Sequence, residues 1–313
     1  MSALRVLELG EGRQLVDLGF RDTEGLVAAY LLPEPDGWDL IETGPSTCRE
    51  ALLAGVSRAG LTPPEVRRVF VTHIHLDHAG GMGAVVDSFP NATFYAHELG
   101  VPHMIDPARL VASARRAWGE ATSDQLWGAI PPVPPARIVA LRGGERFPLD
   151  RGELRVLATP GHARHHLAFF DSALRGIFTG DGAGVRLENS AHLRPAVPPP
   201  DLDLEALFAS IELMRSTDPR LVLFSHFGPS PEGAADLRRY RTIVEQWRDV
   251  ALAAARERAD AEFVAERLKE YDLGGGTGAV PTPGESIISS YRLAALGFLR
   301  YFETRGFLPQ GSR

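Results

Sequence analysis

The chain has 313 residues, of which 44% are hydrophobic and 23% charged, the composition of an ordinary globular protein with one large domain or a domain and an appendage. Its formal net charge is −7, which argues against a nucleic-acid partner, because neutralising phosphates needs clustered positive charge. Lys269 is the only lysine among many arginines.

The opening Met1-Ser2-Ala3-Leu4-Arg5 lacks a charged-then-apolar leader. No apolar run approaches the roughly 20 residues that span a bilayer. These features predict a cytoplasmic chain with no membrane partner. Short strands are expected over Leu4–Leu9, Leu26–Leu32 and Trp38–Glu42, with Pro33-Glu34-Pro35-Asp36-Gly37 as hairpin punctuation. A helix over 46–59 opens on an apparent capping box, Thr47-Cys48-Arg49-Glu50. Cys48 is the only cysteine, which excludes an internal disulfide and a Cys–His zinc finger. A strand over Val66–Val71 follows.

Directly after it comes Thr72-His73-Ile74-His75-Leu76-Asp77-His78. Alternate residues of a strand share a face, so His73 and His75 can grip one cation together. Asp77 and His78 lie where the chain turns and can reach a second. The stretch from His78 to Phe89 reads as helical, Ala92–Ala96 as a strand, and 98–128 as a helical insert with Pro107 in a first turn. Further strands are expected at Arg137–Leu141, Leu154–Ala158, Leu167–Phe170, Gly176–Thr179 and Leu221–Ser225, with a helix at Leu204–Ser216. Beyond residue 231 the pattern is helical. Leu237, Tyr240, Val244, Trp247, Ala251 and Ala254 form one apolar stripe, and Ile287, Tyr291, Ala294, Phe298 and Tyr301 another, parted by the glycine-rich 274–278. Packing of these stripes on the body of the protein is expected, with a homodimer interface as the alternative. Two strand-rich halves, each followed by helices, suggest facing sheets with helices outside.

Three more strands end in abrupt turns carrying a possible ligand: Thr159-Pro160-Gly161-His162, Thr179-Gly180-Asp181 and Ser225-His226. The series His-x-His-x-Asp-His, Thr-Pro-Gly-His, Thr-Gly-Asp and Ser-His resembles the metallo-β-lactamase superfamily over residues 20–230. The resemblance implies an α/β, αββα four-layer sandwich over 1–230, with the insert at 98–128 and a helical extension over 231–313. It also implies that His73, His75 and His162 hold one metal, that Asp77, His78 and His226 hold another, and that Asp181 bridges them. Such a site lowers the pKa of a bridging water, and Asp77 orients the resulting hydroxide as the catalytic residue. Imidazole and carboxylate ligands suit zinc first, with iron or manganese as alternatives.

The substrate expected is a small ester, thioester or lactone. The alternatives are a phosphodiester or, in another class, a mononuclear iron oxygenase similar to persulfide dioxygenases. Gly184 stands where related lactonases carry a tyrosine, and Asp181-Gly182-Ala183-Gly184-Val185-Arg186 lacks the Gly-Cys-Gly-Arg segment similar to glyoxalase II. The insert and tail look more like the quorum-signal thioesterase branch. Around the centre, His97, His165 and His166 are candidates for supporting the ligands or touching substrate, and Arg164, Arg186 and Arg194 for steering an anion. His103 and His192 read as loop residues, Trp118 and Trp127 as packing residues of the insert.

Overall fold

In the computed structural model, residues 5–186, 192–274, 288 and 290–308 are described. The first sheet has seven strands in chain order: β1 (Val6–Gly10), β2 (Arg13–Asp17), β3 (Ala28–Glu34), β4 (Gly37–Ile41), β5 (Val66–Phe70), β6 (Thr93–His97) and β7 (Ile138–Leu141). The first four run antiparallel through short turns. From β4 onward neighbours are parallel, which requires longer crossovers. Those crossovers contain the helices α1 (Arg49–Arg58), α2 (Leu76–Ala79), α3 (Val101–Ile105), α4 (Ala108–Trp118) and α5 (Glu120–Trp127).

The second sheet is built from β8 (Arg146–Pro148), β9 (Glu153–Ala158), β10 (Leu167–Asp171), β11 (Gly176–Gly180), β14 (Leu221–Phe224) and β15 (Gly228–Ser230), in the order β15-β14-β11-β10-β9-β8. Between β11 and β14 lie a two-stranded ribbon, β12 (Val185–Arg186) with β13 (Leu193–Arg194), and helix α6 (Leu204–Ser216). Among the described residues, three helices follow β15: α7 (Ala234–Glu257), α8 (Ala261–Asp272) and α9 (Tyr291–Thr304).

Three buried apolar layers glue four structural layers together. The middle one joins the sheets: Leu15, Tyr30 and Phe70 from the first meet Val156, Phe169 and Phe178 from the second. On the outer face of the first sheet, Leu31 and Val69 pack with Leu52 and Val56 of α1. On the outer face of the second, Ile177 and Val222 pack with Leu207 and Ile211 of α6, and with Tyr240 and Trp247 of α7 and Phe298 of α9. The αββα sandwich follows from strands that are buried on both faces, as Leu167–Asp171 and Gly176–Gly180 are throughout. The stripe of α7 is spent on this core, and α8 and α9 are packed against it in turn. No helix among the described residues is long and apolar enough to cross a membrane.

Several local expectations are corrected. The segment from His78 to Phe89 is not one helix: α2 stops at Ala79 and a single 3₁₀ turn, Gly83–Val85, follows. Its glycines serve close backbone approach, since a Cβ on Gly83 would sit 1.9 Å from the Pro131 carbonyl oxygen. The capping box at Thr47 is absent, because the Thr47 hydroxyl donates instead to the Leu126 carbonyl at 2.9 Å. A capping box does form at Thr62 and Glu65. Strands β2, β8, β12, β13 and β15 are additions to the elements read from the sequence, and Pro33 and Glu34 belong to β3 rather than to the turn. Leu4, Ile287 and most of the glycine-rich 274–278 lie outside the described residues.

Candidate metal centre

Each ligand candidate sits where a strand of the sandwich ends. His73, His75, Asp77 and His78 follow β5; His162 follows β9, Asp181 follows β11 and His226 follows β14. All of these strand ends meet at one edge. The β9 turn depends on Gly161, whose φ is +137° and whose Cβ position lies 2.4 Å from the backbone of Leu207. Only a residue without a side chain lets the turn press onto α6 and throw His162 inward.

Two groups of donors result. One ligand atom from each of His73, His75, His162 and Asp181 falls within 4.8 Å of the others, and Asp77, His78 and His226 form a second such group. In the first, His75 Nδ1 lies 2.9 Å from both His73 Nε2 and His162 Nε2. Bonds of about 2.0–2.1 Å to a single zinc ion hold its ligands roughly 3 Å apart. In the second, Asp77 Oδ2 is 3.4 Å from His226 Nε2, which is 3.1 Å from His78 Nε2. Asp181 faces both groups. Its Oδ2 is 3.5 Å from His162 Nε2, while Oδ1 is 3.4 Å from His78 Nε2 and 3.6 Å from His226 Nε2. The buried Oδ1 has no hydrogen-bond partner.

The outer ring nitrogens explain why the inner ones point as they do. His162 Nδ1 lies 2.8 Å from the Ala196 carbonyl oxygen and His226 Nδ1 2.7 Å from that of Leu26. A carbonyl only accepts, so both rings carry a proton on Nδ1 and turn Nε2 to the centre. His73 Nδ1 sits 3.0 Å from the Thr72 hydroxyl, and His78 Nδ1 3.0 Å from Glu42 Oε1. Burial, then the crowd of neighbouring imidazoles, holds His73 and His75 well below the usual histidine range. They are therefore neutral, as ligation requires. Burial alone would raise Asp77 and Asp181, but the facing His78, with His226 and His162, prevails and holds both below the usual carboxylate range. Burial would lower His78, but Glu42, Asp181 and Asp77 prevail and hold it well above the usual histidine range, so a cation bound there displaces its proton. With that proton gone, the imidazoles and ionised carboxylates converging on one space form a donor set that fits divalent cations.

Sequence reading missed Glu42. It is 1% exposed at the end of β4 and accepts from Thr72 Oγ1 at 2.6 Å and Ser225 Oγ at 3.0 Å, besides facing His78. A lone glutamate after a strand carries no local signal. Its positive φ of 67°, unusual outside glycine, is the structural mark of a constrained site residue.

The remaining candidates separate clearly. His166 is buried behind the centre, with Nδ1 2.8 Å from the Thr159 hydroxyl and its ring against the Gly180–Gly182 turn. His165 lies at the rim, its ring 5.8 Å from that of His75, and burial pushes it down to about 4. His97 is half-buried at the end of β6 and accepts from the Leu99 amide. His103 lies in α3. Arg164 is exposed and pairs with Asp201, and Arg186 donates to the Pro229 carbonyl. Arg194 is buried with Asp272. None of the three arginines lines the cavity over the centre. His192 is not a loop bystander, because it is buried against Asp272, which also accepts from Tyr291 at 2.6 Å and so fastens α9 to the ribbon.

That cavity, about 220 Å³, is floored by His75, Asp77, His162 and Asp181. Trp118 and Trp127, expected to be packing residues of the insert, are among its walls. Gly184 leaves no room for the tyrosine of related lactonases: a Cβ there would sit 2.4 Å from the Tyr240 ring and from the Arg194 carbonyl.

A family model described as the metallo-beta-lactamase superfamily matches residues 22–226. A metallo-beta-lactamase fold-containing protein of Sulfurisphaera tokodaii is 25% identical over 169 residues, 51% of this chain and 60% of that protein. A hydroxyacylglutathione hydrolase of Thermosynechococcus vestitus is 28% identical over 166 residues, 51% of this chain and 52% of its own length. The match thus spans little more than half of these curated relatives. Among solved structures, a beta-lactamase domain protein of Burkholderia ambifaria superposes with a TM-score of 0.67 at 21% identity, covering 97% of this chain and 89% of that one. A metallo-beta-lactamase family protein of Thermus thermophilus gives 0.65 at 22% identity, covering 90% and 89%.

Proposed function

Since the chain belongs to the metallo-β-lactamase superfamily of metal-dependent hydrolases, we propose that it is a dinuclear enzyme cleaving a small ester, thioester or lactone. The observation that carries this reading is the Asp181 carboxylate, with one oxygen turned to His162 and the other to His78 and His226. His73, His75 and His162 would hold one ion, Asp77, His78 and His226 the second, and Asp181 both. Two dications, zinc first among the candidates, would lower the pKa of a bound water toward neutrality and offset charge developing on the attacked oxygen.

The chain's own groups do the rest. Asp77 lines the cavity floor and stays ionised, so it accepts a hydrogen bond from the attacking water and orients it. Neutral His73 and His75 keep their lone pairs for ligation and release no proton into the reaction. The mostly apolar walls above leave fewer polar groups around the floor, which strengthens the electrostatic interactions there. The hydroxyacylglutathione hydrolase relative supports cleavage of an acyl conjugate, and cytoplasmic location accords with a lone buried cysteine.

The test is a screen of p-nitrophenyl esters, thioesters, lactones and bis-p-nitrophenyl phosphate on zinc- and manganese-loaded protein. Turnover of acyl substrates without oxygen consumption is expected. Oxygen uptake with a thiol substrate on iron-loaded protein, and no acyl hydrolysis, would replace the hydrolase by an oxygenase.

A further inference from the structure

The cavity over the centre has an unequal chemistry. Its floor carries charge, yet every ionisable side chain among its described lining residues belongs to the donor set itself. The walls are mostly apolar, with hydroxyls from Ser113 and Ser290, and come from three distant segments: Leu110, Ala114 and Trp118 of α4, the Pro198–Pro200 loop, and Leu293 and Ala294 of α9. Trp127 closes a corner, its ring edge-on to Trp118 with centroids 6.1 Å apart and stacked on Phe20 at 5.9 Å. Two aromatic rings fixed in this way form a rigid stop rather than an adaptable surface.

From this geometry we propose that the cavity holds a short, uncharged aliphatic chain of the substrate, attached on one side of the scissile bond. The inference rests on the hydrolase reading only for the reacting end. The volume sets the size. At about 220 Å³, closed at one corner by Trp127, the space accommodates a chain of several carbons and stops a long one. Charge sets the class, because an anionic group held away from the floor would be stripped of water against proline, leucine and tryptophan, with no cationic side chain among the described lining residues to receive it. The arginines that could have served are engaged elsewhere: Arg164 with Asp201, Arg186 with the Pro229 carbonyl and Arg194 with Asp272.

Two ester series decide it on metal-loaded protein, p-nitrophenyl alkanoates varying the acyl side and alkyl acetates varying the alcohol side. In one of them kcat/KM rises about fourfold per methylene, peaks near six carbons and then falls. Mono-p-nitrophenyl adipate, which ends in a carboxylate, is cleaved at least tenfold more slowly than the hexanoate. Ala114→Leu, a half-buried position on α4, moves the peak to shorter chains; circular dichroism verifies that the variant is folded. An independent readout uses metal-free protein, where 1-hexanol changes the tryptophan fluorescence and Trp118→Phe weakens that change. Flat rates from acetate to dodecanoate, or preference for the adipate half-ester, overturn the proposal. So does silence of the fluorescence. If no ester is cleaved but hexanol binds and Ala114→Leu blocks it, the chain site stands and the hydrolase reading falls.

Discussion

Asp181→Ala reduces bound zinc from two ions per chain to one or none and lowers ester hydrolysis by at least about 10²–10³-fold, the scale of losing one preorganised group that meets transition-state charge. The reason is positional. The other six candidates each lie in one of the two donor groups, whereas the Asp181 oxygens lie 3.4–3.6 Å from imidazole nitrogens of both. Removing it leaves the first group three imidazoles with no anion to offset a dication. His226→Ala is the informative contrast, because it strips the second group alone and is expected to keep one tightly held ion. Metal analysis after gel filtration, read beside the rate, separates the cases. Two ions and normal turnover in Asp181→Ala would remove the bridge from the account.

Glu42→Gln is expected to weaken metal binding and activity by about 10–100-fold, the usual cost of disturbing groups that orient ligands, while the protein stays folded. One buried carboxylate touches three ligands' supports: His78 directly, Thr72 beside His73, and Ser225 beside His226. The glutamine keeps the shape but removes the charge that holds those donors, and an NH₂ placed where Oε2 faces the Thr72 amide meets another donor. Because the loss is in affinity, excess zinc restores much of the rate, which separates a positioning role from a chemical one. Glu42→Ala is harsher. It leaves buried hydroxyls unpaired at about 1–3 kcal/mol each, and urea unfolding should register it. Unchanged zinc affinity in Glu42→Gln would mean that the ligands are held by their strands alone.

The candidate ligands were legible because the chemistry is local in the chain. His73, His75, Asp77 and His78 fall within six positions, and His162, Asp181 and His226 each announce themselves by an apolar strand broken at a turn. The pairing of sheets was legible for a related reason, since strands buried on both faces read as continuous apolar runs. Support for the ligands was not. Glu42 gains its meaning from Thr72 and Ser225, which only the packing of the two sheets brings to it. The cavity walls were hidden in the same way. Trp118 and Leu293 are far apart in sequence, and helical periodicity says that each is apolar without saying that they face one another. Periodicity also misled at His78–Phe89, where glycines chosen for backbone contact passed for tolerated helix interior.

Anomalous X-ray diffraction at the zinc edge, on crystals grown with the metal, measures the central claim most directly. The account predicts two peaks about 3.5–4 Å apart, the spacing of two-metal sites, one inside the His73, His75 and His162 group and one inside Asp77, His78 and His226, with Asp181 between them. A single peak, or peaks remote from Asp181, would contradict it.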